Sequence, residues 1–257
     1  MTIQHKGIPV FFTDKGKGKT VVLLHGFLEN SNMWKPLVNK FSKNNRVICI
    51  DLLGHGKTGC LGYVHTMELM ADTVHAVLKY LKINRSIFIG HSMGGYVALA
   101  YAEKYPKEIL GLCLMNSTAQ ADSEERKQNR DRAIIAVKNN YKAFVRIAIV
   151  NLFRPKNRRI FYKKIKHIKE EAIKTPVQGI IAALEGMKIR KDREHFFKKA
   201  LFKKLMIISK KDPVLNYGDL IEQAKNSDIN VVEFPDGHMS HIENEGLFLR
   251  NVMYFIE

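Results

Sequence analysis

The chain has 257 residues, 46% of them hydrophobic, and its 42 Lys and Arg against 25 Asp and Glu give a formal net charge of +17. This apolar share suits a globular domain with a sizeable core. The longest apolar runs fall short of the roughly 18 residues that a membrane span needs, which excludes a transmembrane helix.

The opening residues MTIQHKGIPVFF offer two short extended runs, 2–5 and 8–12, placed to pair as a hairpin. They lack the apolar stretch and small-residue cleavage site of a signal peptide, so a cytoplasmic protein is expected. TVVLL (20–24) is a strand apolar on both faces and ends in His25-Gly26; a helical pattern follows at about 31–42. RVICI (46–50) is the next strand, and GHGKT (54–58) the next loop. Both Gly-Lys-Thr stretches lack the glycine that a phosphate-binding loop carries five residues earlier, where Thr13 and Asp51 stand, so neither reads as a nucleotide site.

A helix at about 66–82 leads to SIFIG (86–90), then GHSMG (90–94), then a helix at 94–105. The strand ILGLCLM (109–115) precedes a segment with helical spacing and no clear strand, 117–204. That segment carries 24 basic and 9 acidic residues, +15, whereas the rest carries 18 and 16, +2. It is read as a basic helical insertion on a core made of 1–116 and 205–257. Its charge is expected to coat solvated helix faces or steer anionic substrates rather than bind nucleic acid, because its aromatics follow helical-core spacing. LMIIS (205–209), a helix at 217–226, INVVEF (229–234) and a helix at 244–256 complete the chain. Strand–helix alternation with right-handed crossovers predicts a mostly parallel sheet covered by helices on both faces, an α/β fold. Cys49, Cys60 and Cys113 show no metal or redox spacing and are expected to be structural thiols.

G-x-S-x-G between a strand and a helix has a physical reason: a strand reversing into a helix within one residue strains the turning residue. Small flanking residues let the two backbones approach. The turn lifts the Ser92 hydroxyl clear of the sheet edge, beside the free N–H groups of a helix start. A serine needs a base to react, and the base needs an acid behind it. Asp212 follows the strand LMIIS, and His238 lies in the glycine-containing loop after INVVEF, in the chain order this architecture requires. Asp219, Asp228, Asp236 and His241 are rivals. The N–H groups of Phe27 and Met93 are candidate oxyanion donors. Trp34, Ile147, Ile181 and Leu184 are candidate pocket residues, Trp34 being equally suited to pack against the first helix. His91, next to Ser92, is expected to pack, and His25 and His55 to brace loops.

The stretches HGFLENSNMW (25–34), DLLGHGKT (51–58), GHSMGG (90–95), SKKDPV (209–214) and PDGHMSHIEN (235–244) resemble the α/β-hydrolase superfamily, particularly small serine esterases with a helical cap. The resemblance spans essentially the whole chain, although the cap matches only in position and helical character. It implies an eight-stranded, mostly parallel sheet, a Ser92–His238–Asp212 triad and no cofactor. Some members place the acid after the sixth strand; here that position is Asn116, which carries no charge. The expected activity is hydrolysis of small carboxylic esters. Thioester and carbon–carbon bond hydrolysis remain open with the same residues, as does a non-catalytic ligand or polyanion-binding module.

Overall fold

The computed structural model describes residues 1–257. Eight strands form one sheet: β1 (Thr2–His5), β2 (Ile8–Lys15), β3 (Lys19–Leu24), β4 (Asn45–Ile50), β5 (Ser86–His91), β6 (Ile109–Met115), β7 (Lys203–Ser209) and β8 (Asn230–Phe234). Their spatial order is β1-β2-β4-β3-β5-β6-β7-β8, antiparallel at β1/β2 and β2/β4 and parallel elsewhere. All eight expected runs are strands. Only β2 is notably longer than read, because Thr13–Lys15 continue the antiparallel ladder with Val47–Cys49.

The all-apolar strands serve both faces. On β3, Val22 and Leu24 pack one way and Val21 and Leu23 the other. The first face is covered by α2 (Met67–Tyr80), α3 (Met93–Lys104) and α8 (Tyr217–Ala224), through residues such as Val74, Leu99 and Leu220. The second is covered by α1 (Lys35–Phe41) and the last helix, α10 (Glu245–Ile256), through Phe41, Phe248 and Val252. A short helix α9 (Ser240–Glu243) precedes α10. Full burial of such side chains is worth roughly 1.5–3 kcal/mol each, which is what fixes the layers.

Between β6 and β7 stand α4 (Glu124–Asn151), α5 (Tyr162–Ala172), α6 (Val177–Lys188) and α7 (Glu194–Lys199). This helical insertion leaves the carboxyl edge of the sheet, where parallel α/β sheets gather their functional loops. Ser123 caps α4 by accepting the Arg126 N–H, and Asn140 breaks the helix with φ −157° and ψ 84°. No helix is long and apolar enough to cross a membrane. Cys49 and Cys113 are buried free thiols, while Cys60 is only half-buried because it lies in a loop.

Candidate active site

Three loops at the carboxyl edge converge. β5 turns into α3 at Ser92, whose backbone stands at φ 50° and ψ −115°, a region that side chains with a Cβ rarely adopt. The turn is held by the Ser92 N–H donating to Met115 O at 2.9 Å, and by Gly95 N–H and Ser117 Oγ donating to Ser92 O at 2.9 and 2.8 Å. The flanking glycines are sterically required. A Cβ on Gly90 would lie 2.5 Å from the Gly94 carbonyl carbon, and one on Gly94 2.5 Å from Leu24 O.

Asp212 follows β7, and His238 follows β8. The His238 Nδ1 lies 2.8 Å from Asp212 Oδ2. The other Asp212 oxygen accepts the N–H groups of Val214 and Leu215 at 2.8 and 3.1 Å. Asn116 Nδ2 donates to Asp212 Oδ2 at 3.0 Å and to Ser209 Oγ at 2.9 Å, and its own oxygen accepts from Ser240. Asn116, just past β6, is thus an amide partner of Asp212. Burial alone would raise the Asp212 carboxyl; facing His238, Asn116 and the Val214 N–H, it is held below its ordinary value.

Ser92 and His238 line one cavity of about 100 Å3, together with Phe27. They are not hydrogen-bonded to each other, and both face the same cavity. The Phe27 N–H donates no hydrogen bond within the chain, and Met93 opens α3, where the first N–H groups have no intrahelical acceptor.

The rival His241 sits in α9, fully buried, with its ring 6.0 Å from Trp34 and 5.6 Å from His91. Burial pushes it down to about 3, and it bonds neither Asp212 nor Ser92. Asp219, Asp228 and Asp236 lie elsewhere: Asp228 pairs with Lys204 and Asp236 with Arg154.

The pocket expectations need correction. Trp34 is completely buried and stacks on Phe248 in the core, so it packs beneath the first helix and does not line the cavity. Ile147 is 62% exposed; its neighbours Ala148, Ile149 and Leu152 line the cavity instead, one helical face away. Leu184 is buried in the hydrophobic core and Ile181 packs half-buried against it, and Met187 is the α6 residue at the cavity.

A buried ion pair next to Ser92 escaped the sequence reading. His91 Nδ1 lies 2.7 Å from Glu29 Oε2, and its Nε2 lies 3.1 Å from the His238 carbonyl oxygen. Glu29 Oε2 also accepts the Gly26 N–H at 2.9 Å. Both His91 nitrogens therefore face atoms that accept, and satisfying both requires a doubly protonated ring. Burial favours the neutral forms, yet each partner overrides it in the other: Glu29 is held below and His91 above its ordinary value. One carboxylate thereby ties the loop carrying Phe27 to the turn carrying Ser92 and, through His91, to the loop carrying His238. A packing role for His91 understates this.

The helical insertion is stitched to the same loop. The His238 N–H donates to Leu152 O at 3.0 Å, and Glu243 accepts the N–H groups of Arg154 and Met239 at 3.1 and 3.3 Å. Asn157 Nδ2 adds a third bond to Glu243 at 2.9 Å. No group of His, Cys, Asp and Glu side chains is arranged to hold a metal ion.

Several known proteins share this arrangement of the chain. An esterase from Thermogutta terrifontis, solved with malate bound, superposes with a TM-score of 0.89 at 29% identity, covering 99% of this chain and 95% of that one. An enol-lactonase from Burkholderia xenovorans LB400 gives 0.91 at 23% identity, with 99% of each chain covered; at that identity the likeness is one of fold. Among curated sequences, human monoacylglycerol lipase ABHD6 is 34% identical over 103 residues, 39% of this chain and 31% of that protein. A putative non-heme haloperoxidase of Mycobacterium phage D29 is 32% identical over 114 residues, 44% of this chain and 41% of that protein. The chain thus matches less than half the length of either curated relative. The model of the family described as "alpha/beta hydrolase fold" matches residues 19–245, from the strand before His25 to beyond His238. With nearly the whole chain matched and the sheet order in place, the protein belongs to the family of the alpha/beta hydrolase fold.

Proposed function

We propose that the protein is a serine hydrolase that cleaves carboxylic esters of small acyl groups, with Ser92 as nucleophile, His238 as general base and Asp212 as the group that orients it. The observation that carries this reading is the His238–Asp212 hydrogen bond at the wall of a cavity that also exposes the strained Ser92. His238 takes the Ser92 proton as Oγ attacks the ester carbonyl. The N–H groups of Phe27 and Met93 receive the oxyanion, each such donor being worth about 3–4 kcal/mol. His238 returns the proton to the leaving alkoxide, which departs as the alcohol. Water, deprotonated by the same ring, then attacks the acyl-enzyme and releases the acid and free Ser92. Asp212 keeps the Nδ1–H tautomer and stabilises the imidazolium without taking its proton. A thioester meets the same groups, so the assay panel includes one.

The test is labelling by a fluorophosphonate probe together with hydrolysis of short p-nitrophenyl esters. The intact protein is expected to label once, at Ser92, and Ser92→Ala to lose labelling and several orders of magnitude in kcat. Unchanged turnover in Ser92→Ala would rule the mechanism out.

A further inference from the structure

The Ser92 cavity has a second, unbalanced charge cluster on its insertion side. Three guanidiniums converge on one carboxylate, Asp122, just before α4. Arg190 Nη1 lies 2.6 Å from its Oδ1, Arg126 Nε 3.2 Å from the same oxygen, and Arg130 Nε bonds Oδ2. The Asp122 side chain is wholly buried; burial would raise it, but Arg130 and Arg190 hold it below its ordinary value. Arg190, itself 5% exposed, keeps Nη2 without any partner, and its guanidinium lies 4.1 Å from the centre of the Tyr96 ring. Tyr96, Arg126 and Arg130 all line the cavity that holds Ser92 and His238.

The other charged groups near this cavity have their own partners. Glu29 pairs with His91, and the Asp212 carboxylate behind His238 is held by the Asn116 amide and the N–H groups of Val214 and Leu215. Around Asp122, three cations meet one anion, an excess of two. The Arg190 and Arg130 side chains are largely withdrawn from water and that of Arg126 is 34% exposed; guanidiniums withdrawn in this way favour an anion, and their planar forks suit a carboxylate. The cavity's 100 Å3 is small beside the roughly 300 Å3 or more of ordinary ligand sites, so that anion belongs to a short molecule.

We propose that the substrate is a short ester bearing a carboxylate, received by Arg126 and Arg130 while its ester carbonyl lies at Ser92. The inference rests on Ser92 being the nucleophile. The carboxylate sits either on the acyl side, as in a half-ester of a short dicarboxylic acid, or on the alcohol side, as in an O-acyl hydroxy acid.

Two substrate pairs distinguish these sources: monomethyl against dimethyl glutarate, and O-acetylglycolate against ethyl acetate. On one pair, kcat/KM of the intact protein is expected to favour the anionic ester by about 10- to 100-fold, the range of a hydrogen bond to a charged group. Arg126→Gln and Arg130→Gln should each lower that ratio toward one, with the loss mostly in KM. If these variants do not fold, the intact protein still decides. Glutarate should inhibit hydrolysis of the neutral ester competitively, and should bind the Ser92→Ala protein in calorimetry, more weakly as salt rises. Equal turnover of charged and neutral esters by a protein that labels at Ser92 overturns the carboxylate inference alone. Absence of labelling and hydrolysis overturns the hydrolase reading, and the inference with it; glutarate binding then reports only an anion site. No binding of glutarate overturns the inference in either case.

Discussion

Glu29→Gln tests the buried pair beneath Ser92. The substitution keeps the shape, and the amide oxygen can still accept from Gly26, but the negative charge facing His91 is gone. A buried imidazolium without a counter-charge costs about 3–5 kcal/mol, so His91 sheds a proton instead. A neutral ring donates from one nitrogen only, so it must give up either the substituted amide or the His238 carbonyl, at about 1–3 kcal/mol. We expect a net loss of about 3 kcal/mol, which for a chain of this length is roughly 6 °C in Tm. The sign with pH follows from both partners. Glu29 is depressed, so its contribution is present above its ordinary 4.5 and is lost as pH falls through the depressed value. His91 is raised, so its contribution is complete below its ordinary 6.5 and is lost as pH rises through the raised value. The difference in Tm between the intact protein and the variant should therefore be widest from about pH 4.5 to 6.5 and narrow on either side. Thermal unfolding followed by circular dichroism across that range measures it. A Tm gap that does not vary with pH, or nitrogen NMR shifts of a neutral His91 in the intact protein near pH 6, would refute the reasoning.

Asp212→Asn should leave the fold intact and lower kcat by about four orders of magnitude, because an amide stabilises the wrong His238 tautomer; esterase kinetics on short p-nitrophenyl esters measure it. Gly94→Ala forces a Cβ to within 2.5 Å of Leu24 O, at the end of the strand that leads to Phe27. We expect a loss of about 1–3 kcal/mol in chemical denaturation and slower fluorophosphonate labelling. Asn116→Gly removes the amide from Asp212 while accepting the φ of 45° at that position. With less to hold its pKa down, Asp212 protonates at a higher pH, so acid unfolding should begin at higher pH than in the intact protein.

The sheet was legible because buried parallel strands need apolar residues on both faces, a signal that Val21–Leu24 and Ile87–Ile89 carry without interruption. The placement of Ser92, Asp212 and His238 at one edge of the sheet was legible because each follows a strand, and the loops after parallel strands lie at that edge. The pair of Glu29 and His91 was not, since it joins a loop acid to a residue 62 positions away and follows no period. The cavity wall failed for another reason. The break at Asn140 resets the helical phase of α4, so apolar spacing before the break does not carry over to say that Ile149 looks inward and Ile147 outward. Asp122 and its arginines were hidden in the charge total, where +15 spread over residues 117–204 conceals which cations share an anion.

The bond from the His238 amide to the carbonyl of Leu152 has a mechanical meaning. The proposed base hangs, by its own backbone, from the end of the helix that roofs the cavity. A displacement of that helix end would either break this link or carry the His238 backbone with it, so the insertion and the loop of the proposed base are joined mechanically.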